Sequence, residues 1–508
     1  MDLNLLTFPI GMQENTSVTT AENPFDLDIS LPEYYPDIQR ILCCSVQTNL
    51  HSVSAGTDRV TAEGNGVFRM LYATEDKQVA AFEQAFPISR SAPFAATDPS
   101  AAIRASAATD FVNARATGQR RVGVHGVISI RFSAASRSNI SIAVQDDDAP
   151  LQVRTESVEA FSLCALAERS FAMSEVVEVG AQNPPVGRVL RADACVQPGS
   201  VKAVKDKLLI KGEVMTQILY APDGEGDWVT FRHAMPLSQI VEAQGLAEEN
   251  LHDISLHVLS LEVTPKTDGS GEERLLEIAL RIRADVRSGV TVQMQAVCDA
   301  FSTEGTLCPK YADVRLLHFD DQIQETLTVK QAVDPGSPDI AQLIDVRFGT
   351  VQKSVRQDAQ ALTLQCEAPL TILYRDAQGD PVCAEKQVDF TYTCRLPEST
   401  SEAFWEPTVQ ISACKGMLTS DGKIDVRIEA IVYGTVYTVT THRLLLSASL
   451  EQSQESSPAA LTIYFADAGE DVWDIARKYR TTVSDILEEN GLTQPTVPQS
   501  RMLVIPTA

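Results

Sequence analysis

Between Val60 and Tyr72 every second residue is apolar or small (Val60, Ala62, Gly64, Gly66, Phe68, Met70, Tyr72), and the alternation returns twice further along the chain. The second copy reads Leu208, Ile210, Gly212, Val214, Thr216, Ile218, Tyr220 and the third Leu362, Leu364, Cys366, Ala368, Leu370, Ile372, Tyr374. Such a period predicts a strand with one buried face, because successive side chains of a strand point to opposite sides. On its other face the second copy carries Lys207, Lys211, Glu213 and Gln217, as a half-solvated antiparallel strand should. Glycine or cysteine in the middle of each stripe marks a bend, a bulge or a close neighbour.

Each strand ends in an apolar pair and a tyrosine: Met70-Leu71-Tyr72, Ile218-Leu219-Tyr220 and Ile372-Leu373-Tyr374. Counting back 36 residues from each tyrosine reaches Pro36, Pro184 and Pro338, followed by Ile38, Val186 and Ile340, then by the pairs Ile41-Leu42, Val189-Leu190 and Leu343-Ile344. The tyrosines stand 148 and 154 residues apart, so the repeat is domain-sized. Each copy continues into a second stripe: Val122 to Phe132, Leu276 to Val286, and Ile424 to Val436. Hairpin chemistry separates the segments at Pro222-Asp223-Gly224, Asp268 to Gly271, Asp376 to Gly379 and Ser420-Asp421-Gly422. Helical periodicity is confined to short stretches after the repeat prolines and to Glu156–Arg169. The predicted fold is mainly β, with three repeated antiparallel, sandwich-like modules at 1–165, 166–320 and 321–450. The repeat tyrosines are expected in the core, with their hydroxyls at strand ends.

A different unit follows. Residues 451–460 (EQSQESSPAA) have the composition of a mobile linker, and 461–508 read as a small βααβ domain. Leu461 to Phe465 predicts a strand, and Gly469-Glu470 a turn. Asp471 caps a helix through Tyr479, whose Val472, Ile475, Ala476 and Tyr479 share one side. Thr482 caps a second helix, Val483 to Asn490, and Gly491 stands where a left-handed C-cap wants glycine. Met502 to Ile505 closes the unit as a strand, stopped by Pro506.

Lys and Arg number 42 against 68 Asp and Glu, a net charge of −26. That field repels phosphate backbones and anionic headgroups, which argues against nucleic acid and acidic membranes as partners. Hydrophobic residues at 44% and charged residues at 22% are the balance of a folded chain. No apolar run approaches the ~20 residues of a membrane span, so no membrane insertion is expected. The opening MDLNLLTFPIGMQENTS, with Asp2 and no basic stretch, reads as neither secretory signal nor anchor. Ten cysteines, at 43, 44, 164, 195, 298, 308, 366, 383, 394 and 414, form no CxxC and predict reduced thiols in a cytosol-like compartment. Most are expected to pack as small hydrophobes. Cys43 and Cys44, as strand neighbours, point to opposite faces.

Enzymatic signatures are absent: the sequence has no GxGxxG, GxxxxGK[ST], HExxH or GxSxG. No catalytic residue and no cofactor is therefore expected. The seven histidines form no tight cluster, and Asp146-Asp147-Asp148 lacks the spaced oxygens and glycine of a calcium loop, so no metal is expected either. Trp473 either stacks on a ligand or covers the helix pair.

The run Tyr464, Gly469, Val472-Trp473-Asp474-Ile475-Ala476-Arg477-Lys478-Tyr479, Thr482-Val483, Ile486-Leu487, Asn490, Leu492 and Leu503-Val504-Ile505-Pro506 resembles a LysM domain. The resemblance implies a shallow groove for N-acetylglucosamine polymers such as peptidoglycan, between the loop after the first strand and the loop after the second helix. By position these are Ala468, Gly469, Glu470, Asp471 and Val472 with the adjoining Trp473, and Gly491, Leu492, Thr493 and Gln494. The usual Gly-Asp-Thr-Leu reads Gly469-Glu470-Asp471-Val472, the preceding proline is Ala468, and a glycine before the last strand is Ser500. A protein ligand thus stands beside glycan as an alternative. Leu31-Pro32-Glu33, Pro36-Asp37-Ile38, Ile41-Leu42 and Leu71-Tyr72, with the matching positions of the second copy, resemble the SPOCS domain of endospore-forming bacteria. SPOCS repeats with a terminal LysM imply a non-enzymatic scaffold of the spore coat. Such a scaffold would work in the mother-cell cytoplasm at the forespore surface, docking on the coat's basement-layer ATPase and able to self-associate through edge strands.

Overall fold

The three stripes become the central strands of three antiparallel sheets, and each sheet is covered by a second one. A computed structural model describes residues 3, 5–94, 102–145, 151–224, 226–336, 340–358, 360–398, 400–452 and 462–506. The first module consists of β1 (Thr7–Ser30), β2 (Arg40–Ala55), β3 (Arg59–Ala73), β4 (Val79–Pro93), β5 (Ala102–Gly118) and β6 (Arg121–Ala143). Its sheets run β2-β3-β4 and β1-β6-β5. The second module repeats the plan with β7 (Leu151–Glu178), β8 (Val186–Val204), β9 (Lys207–Pro222), β10 (Val229–Glu242), β11 (Leu251–Lys266) and β12 (Leu275–Ser302), paired as β8-β9-β10 and β7-β12-β11. In the third, β13 (Gly305–Val333), β14 (Ile340–Phe348), β15 (Gln352–Asp358), β16 (Ala361–Asp376), β17 (Pro381–Arg395), β18 (Glu402–Trp405), β19 (Thr408–Leu418) and β20 (Ile424–Gln452) do the same. There β14, β15 and β17 flank β16, while β13, β18 and β19 flank β20.

Both stripes of each copy face each other across the sandwich. Val60, Phe68 and Tyr72 meet Val122, Ile128 and Phe132 in the first core, with equivalent sets in the other two. The mid-stripe glycines mark bulges. A Cβ on Gly64 would collide with the carbonyl of Asn49, where β2 slips register between Leu50 and Ser52. One on Gly212 would meet Gln197, where β8 slips between Pro198 and Val201. In the third copy the partner strand is interrupted between β14 and β15, and the position is Cys366. The repeated spacing from proline to tyrosine has a direct cause. Tyr72 donates its hydroxyl to the carbonyl of Pro36 at 3.0 Å, and Tyr220 does the same to Pro184 at 3.0 Å. A buried phenol needs such a partner, and burial pushes Tyr72 up to about 12. Pro338 lies outside the described residues, as do Asp146–Asp148.

Alternation fails at two places, and the modules touch at both. Leu71, Leu219 and Leu373 sit on the side of the strand opposite the tyrosine, yet all three are buried in one common cluster. Each module adds a second residue to it, Leu42, Leu190 or Ile344. These are the extra residues of equivalent bulges, between Ile41 and Cys43, Val189 and Arg191, and Leu343 and Asp345. A bulge turns one side chain out of the sandwich while its neighbour still faces in. Equivalent residues meeting in this way set the modules around an approximate threefold axis. Polar contacts follow the same seams. Buried Arg347 is ion-paired to Asp345 of its own module and to Asp193 of the second, and Arg104 of the first bonds Glu168 of the second at 3.1 Å.

At the other end the longest strands outrun their neighbours and pair only two by two. The resulting ribbons, β1 with β6, β7 with β12 and β13 with β20, pack together through Ile10, Ile142, Val158, Met294, Leu316 and Leu444. Gly11 permits the closest approach, since a side chain there would strike the carbonyl of Leu163. The expected helical stretch at Glu156–Arg169 is instead part of β7, and β2, β8 and β14 follow the repeat prolines. Val158 and Ala160 to Leu163 are buried nearly in succession, because the ribbon is covered on both faces, and that pattern mimics a helix.

The two kinds of contact are separable by mutation. Tyr220→Phe is expected to lower stability by about 1 kcal/mol, the net worth of one hydrogen bond. Leu219→Ala, on the face an isolated sandwich would solvate, should cost about 2–5 kcal/mol. Denaturant midpoints of the two variants test this. A loss from Leu219→Ala below that from Tyr220→Phe would contradict the threefold contact.

Candidate functional site

The last unit folds as β21 (Thr462–Ala466), α1 (Val472–Tyr479), α2 (Val483–Asn490) and β22 (Arg501–Ile505), with β21 antiparallel to β22. These are the only helices among the described residues. Asp471 caps α1, its Oδ1 accepting from the Trp473 amide at 2.9 Å, and Thr482 caps α2, accepting from Asp485 at 3.0 Å. Gly491 closes α2 in the left-handed region at φ 58°, and Arg480 takes the same conformation after α1 at φ 56°. Val472, Ile475, Ala476 and Ile486 pack on Leu503 and Ile505. Leu461 and 453–460 of the expected linker lie outside the described residues.

Backbone bonds lace the first loop to the chain that follows the second. Gly469 donates to Val497 at 2.8 Å, Val497 to Glu470 at 2.9 Å and Val472 to Pro495 at 2.8 Å. The two loops therefore lie side by side. Ala468, Gly469, Gly491, Thr493 and Gln494 are exposed, Leu492, Glu470 and Asp471 half-buried, and Val472 and Trp473 buried.

Every departure from the usual loop residues has a structural use. Ala468, having an amide hydrogen where proline has none, donates to Ser500 Oγ at 3.1 Å. Glu470 accepts from the Tyr464 hydroxyl at 2.5 Å and from the Asp467 amide at 3.1 Å. The Glu470 carboxylate, through that bond, pushes Tyr464 up to about 12. Asp471 divides its carboxylate between the helix cap and Arg154 of the second module, whose Nη2 donates to Oδ2 at 2.6 Å. Neither acid is left free to face a ligand.

The Arg154 bond belongs to a larger contact with the body. Trp473 lies edge-on against Phe301, with ring centroids 4.8 Å apart, and its Nε1 donates to Asp299 Oδ2 at 2.8 Å. Arg477 bonds the same carboxylate, Arg154 covers the Trp473 ring and Arg480 reaches Thr306 at 3.2 Å. The unit is thus seated on the tips of β7, β12 and β13. Its tryptophan and arginines complement an acid and an aromatic at the ribbon tips. Trp473 packs with the helices of its own unit and against Phe301, Asp299 and Arg154 of the body. Asp299, Phe301 and Arg154 carry no local signal of this role, because their partners lie more than 170 residues away.

A family model described as SipL, SPOCS domain matches residues 185–265, which span β8 to β11, and a LysM domain model matches residues 468–506. Both are non-catalytic families. No curated protein and no solved structure matches the chain. Among the described residues no helix is long and apolar enough to cross a membrane.

Acid should loosen the seat. Burial pushes Asp299 up, but the bonds from Trp473 and Arg477 outweigh it and hold the carboxyl below its ordinary 3.8. Its contribution is then whole above 3.8 and is lost as pH falls through the docked value. Selective labelling of tryptophan gives an indole N–H signal that reports the contact. The Trp473 signal should hold its position from neutral pH down to the ordinary carboxylate range and move toward the solvent-exposed shift below it. Asp299→Ala should show the exposed shift at neutral pH. An unchanged signal in that variant would contradict the seat.

Proposed function

Starting from a chain that carries a SPOCS domain and a LysM domain, we propose that it is a non-enzymatic adaptor of spore-coat assembly whose LysM groove grips a protein partner. The use made of the groove's side chains supports this reading. Trp473, the one aromatic among the candidate residues, turns onto Phe301 and Asp299 and offers no face to a sugar ring. With Glu470 and Asp471 engaged inside the chain, the contact surface is left to backbone edges, Thr493, Gln494 and Leu492. Exposed Asp467, Asp474, Glu488 and Glu489 add to an overall charge of −26, so the partner's docking face should be basic. The coat's basement-layer ATPase is the partner that the SPOCS and LysM layout implies, and the three-module body offers further surfaces to coat proteins or to other copies. Work in the mother-cell cytoplasm at the forespore surface completes the reading.

One observation favours a second reading. The laced loops lie side by side with Gly469 and Gly491 exposed at their edges, and a peptidoglycan chain held as LysM domains hold N-acetylglucosamine polymers would lie along them. Sedimentation of the full chain with purified peptidoglycan, beside capture on the immobilised coat ATPase, separates the two. The ATPase is expected to retain the chain at low salt and release it as salt rises. Leu492→Asp should weaken the capture by about tenfold, the effect of one damaged contact of about 1.4 kcal/mol. Sedimentation with peptidoglycan and no capture by the ATPase would establish the glycan reading instead.

A further inference from the structure

The seam between the first and third modules carries a pair of thiols. Cys43 stands on β2 and Cys383 on β17, and both pack in the cluster formed by Leu71, Leu219 and Leu373. Their strands are tied together nearby: Arg40, three residues before Cys43, donates Nη2–H to the carbonyl of Pro381, two residues before Cys383, at 2.5 Å. Lys77 adds a bond to Gln378 at 2.7 Å and an ion pair to Asp380 at 3.1 Å on the same seam. The two thiols line the same cluster from opposite sides of the boundary, near enough for each to shift the other's ionisation. Cys44 is turned the other way, packed against the first core with its Sγ 4.0 Å from the carbonyl of Val112.

We propose that Cys43 and Cys383 form a disulfide that staples the first module to the third, made by exchange with a small-molecule disulfide of the glutathione class. Cys43, its proton lost to solvent, attacks one sulfur of the oxidant. The oxidant's S–S bond breaks, and half of it leaves as a thiolate that takes a proton from water. Cys383 then gives its proton to water and attacks the Cys43 sulfur of the mixed disulfide, expelling the other half as a second thiol. The two protein thiols lose two electrons and two protons, and the oxidant gains them.

Charge sets the order of attack. The Cys383 S–H and the Arg191 guanidinium hold the Cys43 thiol below its ordinary value although burial opposes them. Cys383 is raised, first by Cys43 and then by burial. Cys43 is therefore the attacking sulfur and Cys383 the resolving one. Burial first, then the charges of Cys43 and Glu385, push Cys44 up to about 11, and its side chain is turned away from Cys383. A bond from β2 to β17 closes a loop through most of the chain, which removes much of the freedom of the unfolded state.

The full chain, reduced and then treated with oxidised glutathione, tests this. Peptide mapping should find Cys43 joined to Cys383, and the oxidised chain should run faster on a non-reducing gel and melt at a higher temperature than the reduced one. Cys44→Ser should keep the cross-link, while Cys43→Ser and Cys383→Ser should lose it. Glutathione left on Cys43, cross-links at other cysteines instead, or no cross-link at all would overturn the proposal. Because the wild-type map decides by itself, a variant that fails to fold does not blunt the test.

Discussion

Three leucines on the outward side of their strands, Leu71, Leu219 and Leu373, hold the modules to one another. A sandwich needs only its inner stripe to fold, and each copy has a complete one in its own core. Burying a second apolar residue on the opposite face is worth about 1.5–3 kcal/mol only where another module covers it. Bulges at Leu42, Leu190 and Ile344 add a second ring of contacts at the same place. Around this apolar point the charges are matched across seams, as Arg347 is to Asp193, so a module turned out of place would leave Arg347 with Asp345 alone.

The terminal domain shares this logic of covering what would otherwise be exposed. Its tryptophan finds an acceptor and an aromatic on the ribbons, and both carboxylates of its first loop are used by the fold. What remains for a ligand is a narrow surface of backbone and small polar groups next to the body. On the proposed reading, a partner that grips it would meet the body at the same time, as a large protein surface can.

Much of this could be read from the sequence where burial is local and one-sided. The stripes at Val60–Tyr72, Leu208–Tyr220 and Leu362–Tyr374 are the inner faces that their alternation predicts, and the 36-residue offset is a hydrogen bond in two copies. Caps and strands of the βααβ unit fall within about a residue of where Asp471, Thr482 and Gly491 put them. What escaped were elements buried from two sides. Phe161 to Leu163 in β7 lose their alternation because two other ribbons cover them, and so resemble a helix. Leu71 and its equivalents look like ordinary strand residues until three copies are brought together. The seat of Trp473 on Asp299 is a pairing across distant sequence, with nothing in either neighbourhood to announce it.

The ribbons that carry the terminal domain are continuous with the sandwiches of the second and third modules, since β7, β12 and β13 each run from one into the other. A tug on that domain is therefore borne along the strand axes. The cross-strand bonds of the ladders would be sheared together, where a force at right angles would peel them apart singly.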